Sequence, residues 1–89
     1  MLNFNYNESL IIAVWQKGRI VPGLAQNEYR RDVYGTLMKF SEYGNRNSKY
    51  GWEIDHIIPK SRGGSDSINN LQPLQWENNC AKSDNSYYR

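Results

Sequence analysis

Residues 52–84 read WEIDHIIPKSRGGSDSINNLQPLQWENNCAKSD. The first seven of these residues are strand-like, and the strand must end at Pro59, which has no backbone N–H to donate to a sheet. Residues 60–69 contain two adjacent glycines and little apolar material, which is typical of an exposed Ω-like loop. The first half of the segment is therefore predicted to be a strand followed by a long loop.

The second half of the segment returns to an ordered pattern. Leu71, Pro73 and Leu74 favour a second short strand, and residues 76–83 have the composition of a brief helix. A hairpin of the two strands brings residues near 55 beside residues near 71. The helix that follows can then fold back across the hairpin and present Asn79 to Asp55.

The amino-terminal half predicts a helix and a strand. Four apolar side chains share one helical face: Leu10, Ile11, Val14 and Trp15. Asn7 is a suitable N-cap and Gly18 a suitable stop, which predicts a helix over about residues 8–17. Residues 24–31 are polar and are left unassigned, whereas residues 35–43 slightly favour a strand over a helix.

Length and composition predict one small α+β domain. The chain has 89 residues, of which 38% are hydrophobic, with three Trp, seven Tyr and two Phe to fill a modest core. We expect three parts: residues 1–51 as a helix and strand extension packed on the core, residues 52–84 as the core itself, and residues 85–89 as a tail.

Charge and cysteine content exclude some classes of protein. A net charge of +2 permits a polyanionic partner without requiring one. The lone Cys80 cannot form an internal disulfide, and no Cys-x-x-Cys pair offers a structural zinc site.

The longest apolar run, residues 10–15, is too short to cross a membrane, and no signal pattern precedes it. These features predict a cytoplasmic protein.

Four polar residues have a spacing that suggests chemistry. Asp55 and His56 are adjacent, Asn70 follows His56 by fourteen positions, and Asn79 follows Asn70 by nine. Asp and Asn offer hard oxygen ligands, which suit Mg²⁺ or a similar cation that retains waters for a substrate phosphate. A neutral His56 beside that cation could accept a proton from an attacking water.

The segment resembles the HNH motif of the ββα-metal nucleases, in which a β-hairpin and a short helix surround a metal ion. The blocks that match are Asp55-His56-Ile57-Ile58-Pro59, Gly63-Gly64-Ser65-Asp66, Asn70-Leu71-Gln72, and then Asn79 and Lys82. The resemblance implies that His56 is the general base and that Asp55 and Asn79 bind the metal. It also implies that Asn70 ties the loop so that His56 is correctly aimed.

The family also implies an activity. A member would be a metal-dependent endonuclease that nicks or cleaves DNA with little intrinsic sequence specificity, using Mg²⁺, Mn²⁺ or another divalent cation. The last motif position is often His in the family, whereas here it is Asn, as in the HNH domain of the CRISPR RNA-guided nuclease. The neighbouring Asn78 is an alternative ligand to Asn79. The zinc-binding cysteine pairs of many members are missing, so no structural zinc is expected.

One geometrical conflict yields a further prediction. Neighbouring residues on a regular strand point to opposite faces, so Asp55 and His56 cannot both address one phosphate unless the strand breaks. We predict a break between His56 and Ile58, promoted by Pro59.

Five basic residues are candidates for contacts with phosphates. Lys60, Arg62 and Lys82 lie near the motif in sequence, and Arg30 and Arg31 are more distant candidates. Such side chains are also commonly no more than solvated surface charges.

Two other functions compete with the nuclease. The first is a catalytically weak relative that binds nucleic acid without cutting it. The second is a structural metal module, which is disfavoured because two oxygen ligands stabilise a fold less than thiolate ligands do. RNA instead of DNA as substrate, a homodimer or a partner protein that supplies specificity, and the biological role are all left open by the sequence.

Overall fold

The computed structural model describes residues 6–84, which contain two helices and two antiparallel sheets. In chain order the elements are α1 (Glu8–Trp15), β1 (Arg19–Ile20), β2 (Tyr29–Arg31), β3 (Leu37–Lys39), β4 (Trp52–His56), β5 (Leu71–Gln75) and α2 (Trp76–Asp84). One sheet has the order β1-β2-β3, and β4 and β5 form a separate hairpin. Neither of these helices is long and apolar enough to cross a membrane.

The predicted α+β fold with a hairpin and a following helix is confirmed. Helix α1 ends at Trp15, two residues earlier than predicted, because the N–H groups of Lys17 and Gly18 bond three residues back and tighten the chain into a turn. The predicted tail, residues 85–89, lies outside the described residues.

The sheet of the amino-terminal half was only partly predicted. Strand β2 falls in a segment too polar to assign, and the strand predicted over residues 35–43 is limited to Leu37–Lys39. A short 3₁₀ helix at Phe40–Glu42 follows it. The N–H of Phe40 still donates to the carbonyl of Glu28 at 2.8 Å, in register with β2 and β3, and the chain then turns, with the N–H of Tyr43 bonded to the carbonyl of Phe40.

A single core joins the amino-terminal extension to the hairpin. Its buried members are Val14, Trp15, Met38, Trp52 and Leu71. The ring centroids of Trp15 and Trp52 lie 5.1 Å apart, and each indole N–H has a carbonyl acceptor, on Gln26 and Phe40 respectively. Burial with satisfied N–H groups is the arrangement in which tryptophan stabilises a small core most. The hairpin is thereby fixed on helix α1 through Trp52.

Arg30, a predicted nucleic-acid contact, has a structural role in this fold. Its side chain is buried, with 7% of the residue exposed. The guanidinium donates to the carbonyls of Gln16, Gly18 and Gln26 and to the side-chain oxygen of Gln26. Because these acceptors occupy most donors of a buried group, Arg30 ties the turn after α1 to β2.

Tyr43 gives the fold a testable alkaline limit. Its ring lies 4.9 Å from that of Trp52, and burial, followed by the charges of Tyr6 and Glu53, raises the pKa of Tyr43 to about 12. In the unfolded chain the pKa of a tyrosine is about 10. The contribution of neutral Tyr43 to the free energy of unfolding is therefore complete below pH 10, and it is lost as the pH rises through the pKa of the folded state. We expect absorbance titration to show one late tyrosine that Tyr43→Phe removes. Loss of an early tyrosine instead would contradict this.

Candidate active site

The candidate site lies where the hairpin ends. Strand β4 stops at His56, as predicted, and the next N–H, of Ile57, donates to the carbonyl of Asn70 at 2.8 Å. His56 is the last paired residue of the strand, and at this strand end Asp55 and His56 line the same open pocket of about 400 Å³ with Asn79 and Lys82. The four-residue set proposed from the sequence thus has three members around one cavity.

Asp55 is held from two sides. The carboxylate is buried, and its Oδ2 accepts from the side-chain amide of Gln72 at 2.9 Å and from the ammonium of Lys82 at 2.6 Å. Gln72 is the direct cross-strand partner of Asp55 in the hairpin. Among the described residues Oδ1 has no hydrogen bond, so one oxygen of Asp55 remains to face the pocket.

Lys82, a predicted phosphate contact, forms an ion pair with the buried carboxylate of Asp55 at 2.6 Å. The ammonium also donates to the carbonyls of His56 and Ile57, at 2.8 and 3.2 Å. Only 11% of the side chain is exposed. The three acceptors match the three donors of an ammonium group, so Lys82 fixes the end of β4 and balances the charge of the buried carboxylate.

The two neighbouring asparagines of α2 point to different places. The amide of Asn79 donates to Glu53 Oε1 at 2.7 Å, and Glu53 in turn is bonded by both Nε and Nη2 of Arg46. Asn78 instead donates to Asp32 and Thr36, away from the pocket. Because its NH₂ group is taken by Glu53, Asn79 keeps its carbonyl oxygen for another partner.

His56 is paired with a carboxylate on the loop. Its Nε2 lies 2.8 Å from Asp66 Oδ1, and the ammonium of Lys60 lies 3.3 Å from Asp66 Oδ2. These contacts, that of His56 first, hold the pKa of Asp66 below its usual range. A carboxylate that accepts from one imidazole nitrogen fixes the ring orientation and leaves the other, Nδ1, as the nitrogen available to accept a proton.

Asn70 fastens the loop that carries Asp66. Its side chain accepts from the N–H of Ile58 at 2.8 Å and donates to the carbonyls of Ile58 and Ser65 at 3.0 and 2.8 Å. The loop passes so close to the strand end that a Cβ at Gly64 would lie 1.7 Å from the carbonyl oxygen of Ile58, and the preceding Gly63 has φ +89°. Both positions therefore require glycine.

The residues of the pocket fit a hard divalent cation. Magnesium at phosphate-processing sites commonly takes one or two protein oxygens and completes its shell with waters and substrate oxygens. Asp55 and Asn79 offer one such oxygen each, and both line the pocket. Within residues 6–84 no group of three or more His, Cys, Asp or Glu side chains could hold a metal ion. A cation here would depend on Asp55, Asn79, water and substrate.

Three residues to which the sequence reasoning gave no role support the site. Glu53 lies two residues before Asp55 on β4, so strand alternation could have placed both on one face. Gln72 is found only from the hairpin register, and the contact between Asp66 and His56 depends on a loop conformation that the sequence does not encode locally.

A β-hairpin and a following helix around an Asp, a His and an Asn define the ββα-metal class of nuclease core. Residues 42–85 match the HNH endonuclease family. The chain is similar to the probable mobile endonuclease C of Enterobacteria phage T4, with 44% identity over 47 residues. That match covers 51% of this chain and 22% of the phage protein. No solved structure shows a significant match to the chain.

Proposed function

We propose that this protein is a metal-dependent endonuclease that hydrolyses phosphodiester bonds of DNA. The observation that carries the proposal is the shared pocket of Asp55, His56 and Asn79 within a segment of the HNH endonuclease family. The similar phage protein is itself described as a probable mobile endonuclease. In this proposal Asp55 and Asn79 are the metal ligands, His56 is the general base, and Asn70 positions the loop.

The chemistry follows from which atoms remain available. A bound divalent cation would supply positive charge to the phosphate and to the leaving 3′ oxygen. His56 Nδ1 takes the proton of a water that attacks phosphorus in line, while Asp66 holds the opposite nitrogen. The bond between phosphorus and the 3′ oxygen breaks, and the leaving 3′ oxygen takes a proton from solvent water, which gives a 5′-phosphate and a 3′-hydroxyl.

Lys60 and Arg62 remain candidates for contacts with phosphates beside the scissile bond, because both are exposed on the loop that borders the pocket. Contacts to phosphates position a substrate without reading its bases, which is consistent with low sequence specificity. Specificity would then come from a homodimer or a partner protein. RNA stays an alternative substrate to DNA, and a cytoplasmic location stays a prediction.

The two asparagines make a matched pair for testing the metal ligands. Asn79→Ala is expected to weaken Mn²⁺ binding at least about tenfold, since loss of even outer-sphere partners costs 10- to 100-fold. Asn78→Ala should leave Mn²⁺ affinity unchanged and instead lower the free energy of unfolding by about 1–2 kcal/mol, because buried Asp32 loses a donor. Calorimetric titration and urea unfolding measure the two effects. If Asn78→Ala weakens Mn²⁺ binding and Asn79→Ala leaves it unchanged, Asn78 is the ligand.

Cleavage of a labelled duplex oligonucleotide tests the function. With Mg²⁺ or Mn²⁺ we expect internal cleavage that leaves 5′-phosphate and 3′-hydroxyl ends, which a polymerase extends directly. Products with 3′-phosphate ends would contradict attack by water with departure of the 3′ oxygen. A protein that binds the duplex without cutting it under any divalent cation would be the catalytically weak binding module instead.

A further inference from the structure

A second groove, of about 160 Å³, lies next to the pocket. We call it the basic groove, and its walls include Lys17, Arg19, Arg31, Val33, Ile57 and Pro73. Two features connect it to the candidate site. Ile57 directly follows His56 in the chain, and Gln72, which also lines the groove, donates to Asp55. A ligand in the basic groove would therefore lie beside whatever occupies the pocket.

The two arginines of the groove face each other. Arg19 of β1 and Arg31 of β2 are direct partners in the antiparallel register, and both are exposed. Side chains in this relation start about 5 Å apart, and like charges so placed destabilise a sheet. Each guanidinium donates to one carbonyl, that of Val33 at 3.1 Å for Arg19 and that of Gly35 at 3.0 Å for Arg31.

Protein carboxylates balance this charge in part, since one carboxylate lines the groove beside three cations. Over residues 6–84 neither arginine forms an ion pair with an acid. Asp32 lines the groove but is 1% exposed, and its two oxygens accept from three backbone N–H groups and from Asn78. Lys17 adds a third cation, whose ammonium donates to the carbonyls of Ile68 and Leu71. The groove thus holds a concentrated positive charge in a chain of net charge +2.

We propose that the basic groove binds backbone phosphates of the nucleic acid whose scissile bond lies in the pocket, with Arg19 and Arg31 as the contacting residues. This inference rests on the proposed nuclease function and names a second point at which the substrate is held. Guanidinium forks match phosphate oxygens, and most donors of both arginines are unused. A phosphate between them also relieves their mutual repulsion. The exposed side chains of Val33 and Ile57 are suited to the apolar edges of sugars.

Duplex binding measured by fluorescence anisotropy in EDTA, where metal-dependent cleavage does not interfere, tests this inference. Arg19→Gln and Arg31→Gln are each expected to reduce the slope of log affinity against log salt by about 0.9, the contribution of one neutralised phosphate. Lys49→Gln is the matched control, because it removes one positive charge from a residue outside the groove, where Lys49 lies over the ring of Tyr50. Arg31→Lys keeps the charge and should keep the slope.

Thermal unfolding of each variant accompanies the binding measurement. Arg19→Gln and Arg31→Gln should unfold at the wild-type temperature or above it, because each substitution removes a like-charge contact. If both variants show the salt slope of Lys49→Gln, the groove does not bind the backbone. If the arginine variants bind the duplex more weakly but the wild-type protein does not cut DNA, the nuclease function alone is overturned. If the wild-type protein cuts DNA but the arginine variants bind the duplex as the wild type does, this inference alone is overturned.

Discussion

Replacing His56 with alanine should lower the rate of plasmid nicking by about 10²- to 10⁴-fold, the usual contribution of a general base. His56 is the single histidine of the chain, and in the pocket it lies beside Asp55 and opposite α2. Its ring is aimed by Asp66, and the loop that carries Asp66 is fastened by Asn70. Because the imidazole bonds, within residues 6–84, only to the exposed loop residue Asp66, its removal should leave folding and duplex binding intact.

Imidazole added to the solution sharpens this test. A cavity left by the missing ring can admit free imidazole, so partial recovery of nicking by His56→Ala is expected if the lost group acts as a base. Lys49→Ala, which removes an exposed side chain outside the pocket, serves as the control and should nick at the wild-type rate. A His56→Ala protein that nicks within about threefold of wild type would show that another group activates the water, since even weak base catalysis exceeds that factor.

Trp52→Ala should produce the largest loss of stability, about 3–5 kcal/mol. Trp52 is fully buried and contacts the rings of Trp15, Phe40 and Tyr43. Its removal opens a cavity where helix α1 meets the hairpin and leaves the carbonyl of Phe40 without its indole donor. A domain of 89 residues has about 4–13 kcal/mol of stability in total, so much of the population is expected to unfold.

Urea unfolding followed by circular dichroism measures this loss. Ile20→Ala is the control, because Ile20 is 58% exposed and its truncation should change the free energy of unfolding by less than about 0.5 kcal/mol. Equal effects of the two substitutions would contradict a core centred on Trp52. Trp52→Phe should fall between them, since a smaller ring retains part of the aromatic contact.

The order of elements in residues 52–84 could be predicted because the signals there are local. Pro59 ends a strand, Gly63 and Gly64 mark a loop, and the strand break after His56 follows from the need for two neighbouring side chains in one pocket. The first sheet could not be predicted equally well. Strand β2 carries Arg30 and Arg31, and the burial of Arg30 depends on carbonyls of a distant turn that no local pattern reveals.

In the candidate site, too, some features could be predicted from local sequence and others depend on tertiary contacts. The spacing of Asp55, His56 and Asn79 indicated which side chains share the pocket, since a hairpin and one helix turn suffice to bring them together. The partners of those side chains depend on tertiary contacts. Lys82 turns inward to Asp55 instead of outward to solvent, because a buried carboxylate is stabilised by a nearby cation. Asp66 reaches His56 only through the closed loop.

The metal dependence of plasmid nicking by the wild-type protein tests the central claim most directly. Supercoiled plasmid should be converted to the open-circular form in Mg²⁺ or Mn²⁺, remain supercoiled in EDTA, and be nicked again when excess Mg²⁺ is restored. Nicking that persists in EDTA, or intact plasmid with every divalent cation, would contradict a metal-dependent phosphodiester hydrolase at Asp55, His56 and Asn79.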